Sequence, residues 1–147
     1  MTLRVRQALA SDATEAVGVL RRSIVELCAA DHGDDPAEIE PWLANKTVVG
    51  FEAWLAREDA VVLVAERAGR VVGLGMASFA GEILLTYVDP AARFGGVSTA
   101  ILSALEDRLR AKGVARCRLE ATRTARRFYA ARGYRGETGS DLMTKPL

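Results

Sequence analysis

Residues 82–98 read EILLTYVDPAARFGGVS, and the fold turns on how this stretch is parsed. Glu82 to Val88 is an apolar run of strand length that stops at Asp89-Pro90. A short loop with the paired glycines Gly95 and Gly96 follows, and a helix opens after it. A strand feeding a helix through glycine-rich backbone leaves several N–H groups unpaired at the positive end of the helix dipole, which suits an anion such as a pyrophosphate. The bare residues fit a plain glycine turn before a helix as well.

Downstream, Ile101, Leu102, Leu105 and Leu109 define an amphipathic helix that Gly113 terminates. Val114 to Leu119 reads as a strand, Thr124 to Arg132 as a short helix ended by Gly133, and Leu142 to Thr144 as a final strand. Upstream, Val61 to Ala65 is a buried strand, and Ala68-Gly69-Arg70 turns it into a second strand, Val71 to Phe79. Gly73 and Gly75 inside that strand point to close backbone approach or a bulge. Before the hairpin, Leu3 to Gln7 is strand-like. Ser11 reads as the N-cap of a helix with Ala13, Ala16, Val17, Leu20, Ile24, Leu27 and Cys28 on one face. Asp35-Pro36 restarts a helix in which Pro41 predicts a kink or restart near Glu40, and Thr47 caps a third helix carrying Val48, Phe51, Trp54 and Leu55. The expected fold is α+β (mixed α/β), one domain over residues 1–147 with a mostly antiparallel sheet flanked by helices.

The 147 residues are enough to bury a core without staples. The cysteines Cys28 and Cys117 match no metal or redox spacing, so reduced thiols and a cytoplasmic location are expected. No apolar run approaches the roughly 20 residues of a membrane span. Net charge is +1, against an obligatory nucleic-acid partner, yet residues 1–90 hold 8 Lys/Arg against 14 Asp/Glu while residues 91–147 hold 12 against 5. Segregated helix faces produce this asymmetry, and so does a basic half facing a polyanion with an acidic half facing a cation.

Two patterns in this order resemble the GNAT superfamily of acyl-CoA-dependent N-acetyltransferases. Arg93-Phe94-Gly95-Gly96-Val97-Ser98 is similar to the family's cofactor loop Gln/Arg-x-x-Gly-x-Gly/Ala, with Ser98 departing at the last position. Ala125-Arg126-Arg127-Phe128-Tyr129-Ala130-Ala131-Arg132-Gly133-Tyr134 is similar to its Ala-x-x-Phe-Tyr-x-x-x-Gly-Phe segment, and Thr122 stands where many relatives carry Asn. The resemblance implies the GNAT fold, acetyl-CoA as co-substrate, no metal, and direct acetyl transfer to an amine. It also implies roles. Main-chain groups of Tyr87 and Val88 pair with the pantetheine arm, N–H groups of Arg93, Phe94, Gly95, Gly96, Val97 and Ser98 cradle the pyrophosphate, and Tyr129 is the general acid. Without it, Phe128 and Tyr129 read as packing of the helix on the sheet. A non-catalytic module binding CoA or an acyl-CoA is the alternative, kept open by Ser98 and Thr122.

Attack on a thioester needs a neutral amine, and an alkylammonium with a pKa of about 10.4 is protonated at neutral pH. Glu82 lies where several family members carry a glutamate base; His32, the only histidine, is of a type suited to act as a base, but a lone histidine in an acidic loop reads more readily as a solvated residue. The acidic stretch Asp31, Asp34, Asp35, Glu38 and Glu40 fits a cationic acceptor or a solvated loop. Helical spacing makes Trp42 and Trp54 core residues, and Arg123, Arg126, Arg127 and Arg132 face either the 3′-phosphate end of CoA or solvent. A homodimer is open, though no interface pattern identifies one.

Overall fold

The structure, a computed structural model, describes residues 2–27, 32–123, 125–136 and 139–147; Cys28, Asp31 and Thr124 lie outside them. The elements run β1 (Arg4–Gln7), a 3-10 turn (Ala10–Asp12), α1 (Ala13–Leu27), α2 (Pro36–Leu43), α3 (Val48–Leu55), β2 (Ala60–Arg67), β3 (Arg70–Ser78) and β4 (Ile83–Val88). They continue with a 3-10 turn (Pro90–Ala92), α4 (Val97–Ala111), β5 (Arg116–Glu120), α5 (Arg126–Ala130), β6 (Arg135–Gly136) and β7 (Leu142–Pro146). One antiparallel sheet is ordered β1-β2-β3-β4 and a second β5-β7-β6. Among the described residues no helix is long and apolar enough to cross a membrane.

The unbroken apolar run of β2 has a direct cause. Val61, Leu63 and Ala65 face a core shared with α4, while Val62 and Val64 face a core shared with α1 and α3, so neither side of the strand meets water. Glycine sets the height of α4. A Cβ on Gly73 would lie 2.8 Å from both Ile101 Cδ1 and Val97 Cγ1, and one on Gly75 would lie 2.5 Å from Ile101 Cγ2. Only bare backbone lets α4 rest this close to β3, and this seats the first turn of α4 beside the end of β4.

Three local expectations are corrected. Ser11 does not cap α1: it lies inside a 3-10 turn whose N-cap is Leu9, and Asp12 reaches back to accept the Leu9 N–H at Oδ2 (2.7 Å) while Arg6 donates to both carboxylate oxygens at 2.8 and 2.9 Å. Pro41 does not interrupt α2, which is a single eight-residue helix capped by Asp35; in so short a helix Pro41 removes only one intrahelical bond. His32 is buried at 4 % exposure rather than solvated. Its Nε2 donates to the Ile24 carbonyl at 2.7 Å and its Nδ1 accepts the Asp34 N–H at 3.0 Å, which defines a neutral Nε2–H tautomer serving the end of α1. Trp42 and Trp54 pack against the α1 core, as their spacing predicts.

The Arg6 hydrogen bonds hold the Asp12 carboxyl below its ordinary value of 3.8. A depressed folded-state value contributes stability above pH 3.8 that is lost as pH falls through the lower folded value. Asp12→Asn is therefore expected to cost about 1.5–3 kcal/mol in urea unfolding at pH 7, with the difference from the unmodified chain shrinking in strongly acid solution.

Candidate active site

The two sheets join at one point. Glu82 and Arg118 form a parallel bridge, the Arg118 N–H donates to the Gly81 carbonyl at 2.8 Å, and Arg118 Nη2 pairs with Glu82 Oε1 at 2.8 Å. Beyond this join β4 and β5 run in parallel without a ladder, so each leaves one backbone edge open. On its other edge β4 pairs with β3, with Tyr87 opposite Leu74, Thr86 opposite Gly75, and an irregularity at Leu84. The Asp89 N–H donates to Val72 O at 2.8 Å, so strand alternation turns the main-chain groups of Tyr87 toward β3 as well. The open edge carries those of Thr86 and Val88. Of the two residues expected on this edge, Val88 lies there and Tyr87 faces β3.

Between the splayed strands lies a cleft of about 240 Å³. Thr86 and Val88 line it from β4, Leu119 and Glu120 from β5, and Phe128 and Tyr129 from α5. It shares Val88, Ser98 and Phe128 with a second hollow lined by Arg93, Phe94, Gly96, Val97, Thr99 and Arg132, so the two adjoin. Gly95 is absent from both linings. Its carbonyl accepts from Arg67 Nη2 at 3.2 Å on the other side of the loop. The Gly95–Gly96 peptide is trans, so the Gly96 N–H points opposite to that carbonyl, away from Arg67. Gly96 adopts φ 77° as the N-cap of α4 with no side-chain cap bond, and the first N–H groups of a helix have no intrahelical acceptor.

Tyr129 sits at the floor of the cleft at 7 % exposure. Burial pushes its phenol above its ordinary value of 10, with the nearby Thr86 hydroxyl pulling weakly the other way. That hydroxyl is itself buried and has no hydrogen-bond partner. The short helix bearing Tyr129 is held at its start by Thr122, which accepts the Ala125 N–H at Oγ1 (3.3 Å) and the Arg126 N–H at its carbonyl (3.0 Å). At its end Arg132 donates to Thr99 Oγ1 at 2.7 Å and to the Phe128 carbonyl at 2.9 Å. The Tyr129 ring packs edge-on between Phe128 and Tyr134, at 5.2 and 5.6 Å. Beneath it the Tyr134 hydroxyl donates to Glu106 Oε2 at 2.7 Å, and Lys145 Nζ reaches both Glu106 oxygens at 3.0 Å. Cys117 Sγ lies 3.1 Å from the Tyr134 hydroxyl, and burial pushes its thiol up, so it is an unreactive core thiol.

The remaining candidates fall outside the cleft. Glu82 is not among the lining residues, and its carboxylate is held by Arg118 at the join. In the acidic stretch Asp35 caps α2, and Glu40 lines a separate groove with Arg21. Of the four arginines, Arg132 lines the second hollow, while Arg126 donates to the Ser140 carbonyl at 2.6 Å. Sequence reading did not single out Thr86 or Glu120; the alternation of β5 places Glu120 outward, but not against which strand. Among the described residues no group of three His, Cys, Asp or Glu is placed to hold a metal.

The family model for the GNAT acetyltransferase domain matches residues 31–143. An IAA acetyltransferase from Azospirillum brasilense is 37% identical over 110 residues, covering 63% of this chain and 72% of that protein. Among solved structures, PaiA N-acetyltransferase from Thermoplasma acidophilum in complex with coenzyme A superposes with a TM-score of 0.90 at 22% identity over 100% of both chains. A GCN5-related N-acetyltransferase from Rhodopseudomonas palustris gives 0.89 at 28% identity, over 100% of this chain and 97% of that one.

Proposed function

The chain belongs to the GNAT acetyltransferase family and is an acetyl-transferring enzyme, and from that premise we propose that it passes acetyl from acetyl-CoA directly to an amine inside the β4–β5 cleft. The observation that carries this reading is the splay of the two strands beyond Glu82 and Arg118, with Tyr129 lining the cleft and a second hollow adjoining it at the first turn of α4.

The residues present fit the co-substrate. Thr86 and Val88 offer an open strand edge for the pantetheine arm, and the buried Thr86 hydroxyl lacks a partner there. Gly96, Val97 and Ser98 offer N–H groups to the pyrophosphate, with Arg93 beside them. When bound, acetyl-CoA supplies an acetyl thioester as the electrophile. Tyr129 holds its proton at Oη across the neutral range, because burial raises a group that already titrates near 10, and donates it to the departing sulfur. No acyl-enzyme is required, and Cys117 is buried out of reach of the cleft lining.

Initial-rate kinetics test the direct route. Varying acetyl-CoA at several fixed amine concentrations is expected to give intersecting reciprocal plots; parallel plots would overturn direct transfer in favour of a covalent intermediate.

The Arg67 contact carries its own expectation. Arg67→Ala releases the Gly95 carbonyl and with it the orientation of the Gly96 N–H. CoA is expected to bind about 3–10-fold more weakly, the range of one ordinary hydrogen bond. Pantetheine, which lacks the pyrophosphate, is expected to bind as before; calorimetry with both ligands checks the difference.

A further inference from the structure

Another hollow, of about 490 Å³, lies on the side of the glycine loop that Arg67 touches. Glu15, Gly18 and Arg22 of α1 line it, with Arg67 and Arg70 at the tip of the β2–β3 hairpin and Asp89 at the end of β4. Arg67 and Arg70 stand directly opposite each other as the pair that closes the hairpin, where like charges repel. The turn between them holds Ala68 at φ 56°, a left-handed conformation that favours glycine or asparagine. Neither feature helps the hairpin to form. Both carboxylates of the hollow are engaged: Asp89 Oδ2 accepts from Arg22 Nη2 at 2.7 Å, and Glu15 Oε2 accepts the Val71 N–H at 3.0 Å. Burial alone would raise the Asp89 carboxyl, but the Arg22 bond, the Ala91 N–H and the charges of Arg22 and Arg70 hold it below 3.8, so it stays ionised beside Arg22. Bare backbone at Gly18 makes room for that arginine, since a Cβ there would lie 3.0 Å from Arg22 Nη1. Two cations are left over. Among the described residues Arg70 makes no hydrogen bond or salt bridge, and Arg67 donates only to the neutral Gly95 carbonyl, at 3.2 Å.

We propose that this hollow binds a phosphate monoester dianion between the guanidinium groups of Arg67 and Arg70, and that its occupancy weakens CoA binding. Two cations without a carboxylate of their own match the charge of the dianion, and guanidinium forks match its oxygens. The hollow also leaves room for an organic group beside the phosphate. Arg67 couples this site to the first turn of α4. A phosphate oxygen carries full negative charge and is a stronger acceptor for a guanidinium than the Gly95 carbonyl. The anion therefore draws Arg67 off that carbonyl, and the Gly95–Gly96 peptide loses the contact that orients the Gly96 N–H. Linkage makes the effect mutual, so CoA weakens the binding of the anion by the same factor. The coupling rests on the proposed CoA site; the anion site does not.

The test uses inorganic phosphate and glycerol 3-phosphate as probes, with ionic strength held constant by chloride. In ¹⁵N-labelled protein the guanidinium Nε–H signals of Arg67 and Arg70 are expected to shift on adding either probe, saturably and with one common affinity. Calorimetry is expected to give CoA affinity about 3–10-fold lower at saturating probe, the change that loss of the Arg67 contact produces. Pantetheine is expected to bind as before. Arg70→Ala is expected to bind CoA as the unmodified chain does, and neither probe then changes that affinity. Shifts confined to Arg93 and Arg132, or an effect on CoA of the same size in Arg70→Ala, would assign the phosphate to the glycine loop and overturn the site. Shifts at Arg70 with unchanged CoA affinity overturn the coupling. Absence of CoA binding in the unmodified chain would remove the proposed function, whereas saturable shifts at Arg67 and Arg70 would still support the anion site.

Discussion

Tyr129→Phe is expected to lower kcat by about 10²–10⁴-fold, the usual contribution of one positioned general acid, while acetyl-CoA affinity changes by less than about twofold. The phenylalanine ring fills the same space between Phe128 and Tyr134, so the edge-on packing and the core are retained. Only Oη and its proton are lost from the floor of the cleft. The unmodified enzyme carries a phenol raised above 10 by burial. Its protonated, active form therefore extends to higher pH than an exposed tyrosine would allow, and any decline of kcat set by this group lies above pH 10. Steady-state kinetics with calorimetry of CoA separate the two effects. Full activity in the variant would remove Tyr129 from the chemistry.

Glu106→Ala is expected to destabilise the fold by about 3–5 kcal/mol, the cost of removing one partner from a buried ion pair. Glu106 is 5 % exposed, and its loss leaves Lys145 and the Tyr134 hydroxyl without their acceptor. The damage reaches the site because Tyr134 supports the Tyr129 ring. Urea unfolding checks the value, and a Glu106→Leu, Lys145→Met double variant is expected to recover part of the loss because no buried charge is then left unpaired. A single-variant loss under about 1 kcal/mol would show that the network contributes little.

The architecture was legible where local pattern and burial agree. The all-apolar β2, the β2–β3 hairpin, the Thr47 cap and the long helix after the glycine loop follow from periodicity and turn residues. Gly73 and Gly75 were legible as sites of close approach, though not as the seat of α4. The differences at Asp12 and His32 share a cause, since each depends on a side-chain hydrogen bond that hydrophobic periodicity does not encode. Arg6 and the Leu9 N–H hold Asp12 at the start of the helix, where Ser11 was expected to act. The Ile24 carbonyl draws His32 into the interior. The two-residue β6 exists only through its pairing with β7. At the proposed site, the motifs pointed to the loop and to Tyr129, whereas only the strand pairing shows that the main chain of Thr86 faces the open edge and that of Tyr87 faces β3, and only the fold sets Arg67 against the Gly95 carbonyl. Glu82 and Glu120 are indistinguishable as exposed glutamates at strand ends until the join with Arg118 places one outside the cleft lining and the other within it.

The most direct test of the site is an amide NMR titration with CoA. The account predicts saturating shifts, with one common affinity, at Thr86, Val88 and Gly96 through Thr99. Shifts gathered instead in the groove between α1 and α2, around Arg21, Ile39 and Leu43, or no shifts at all, would contradict it.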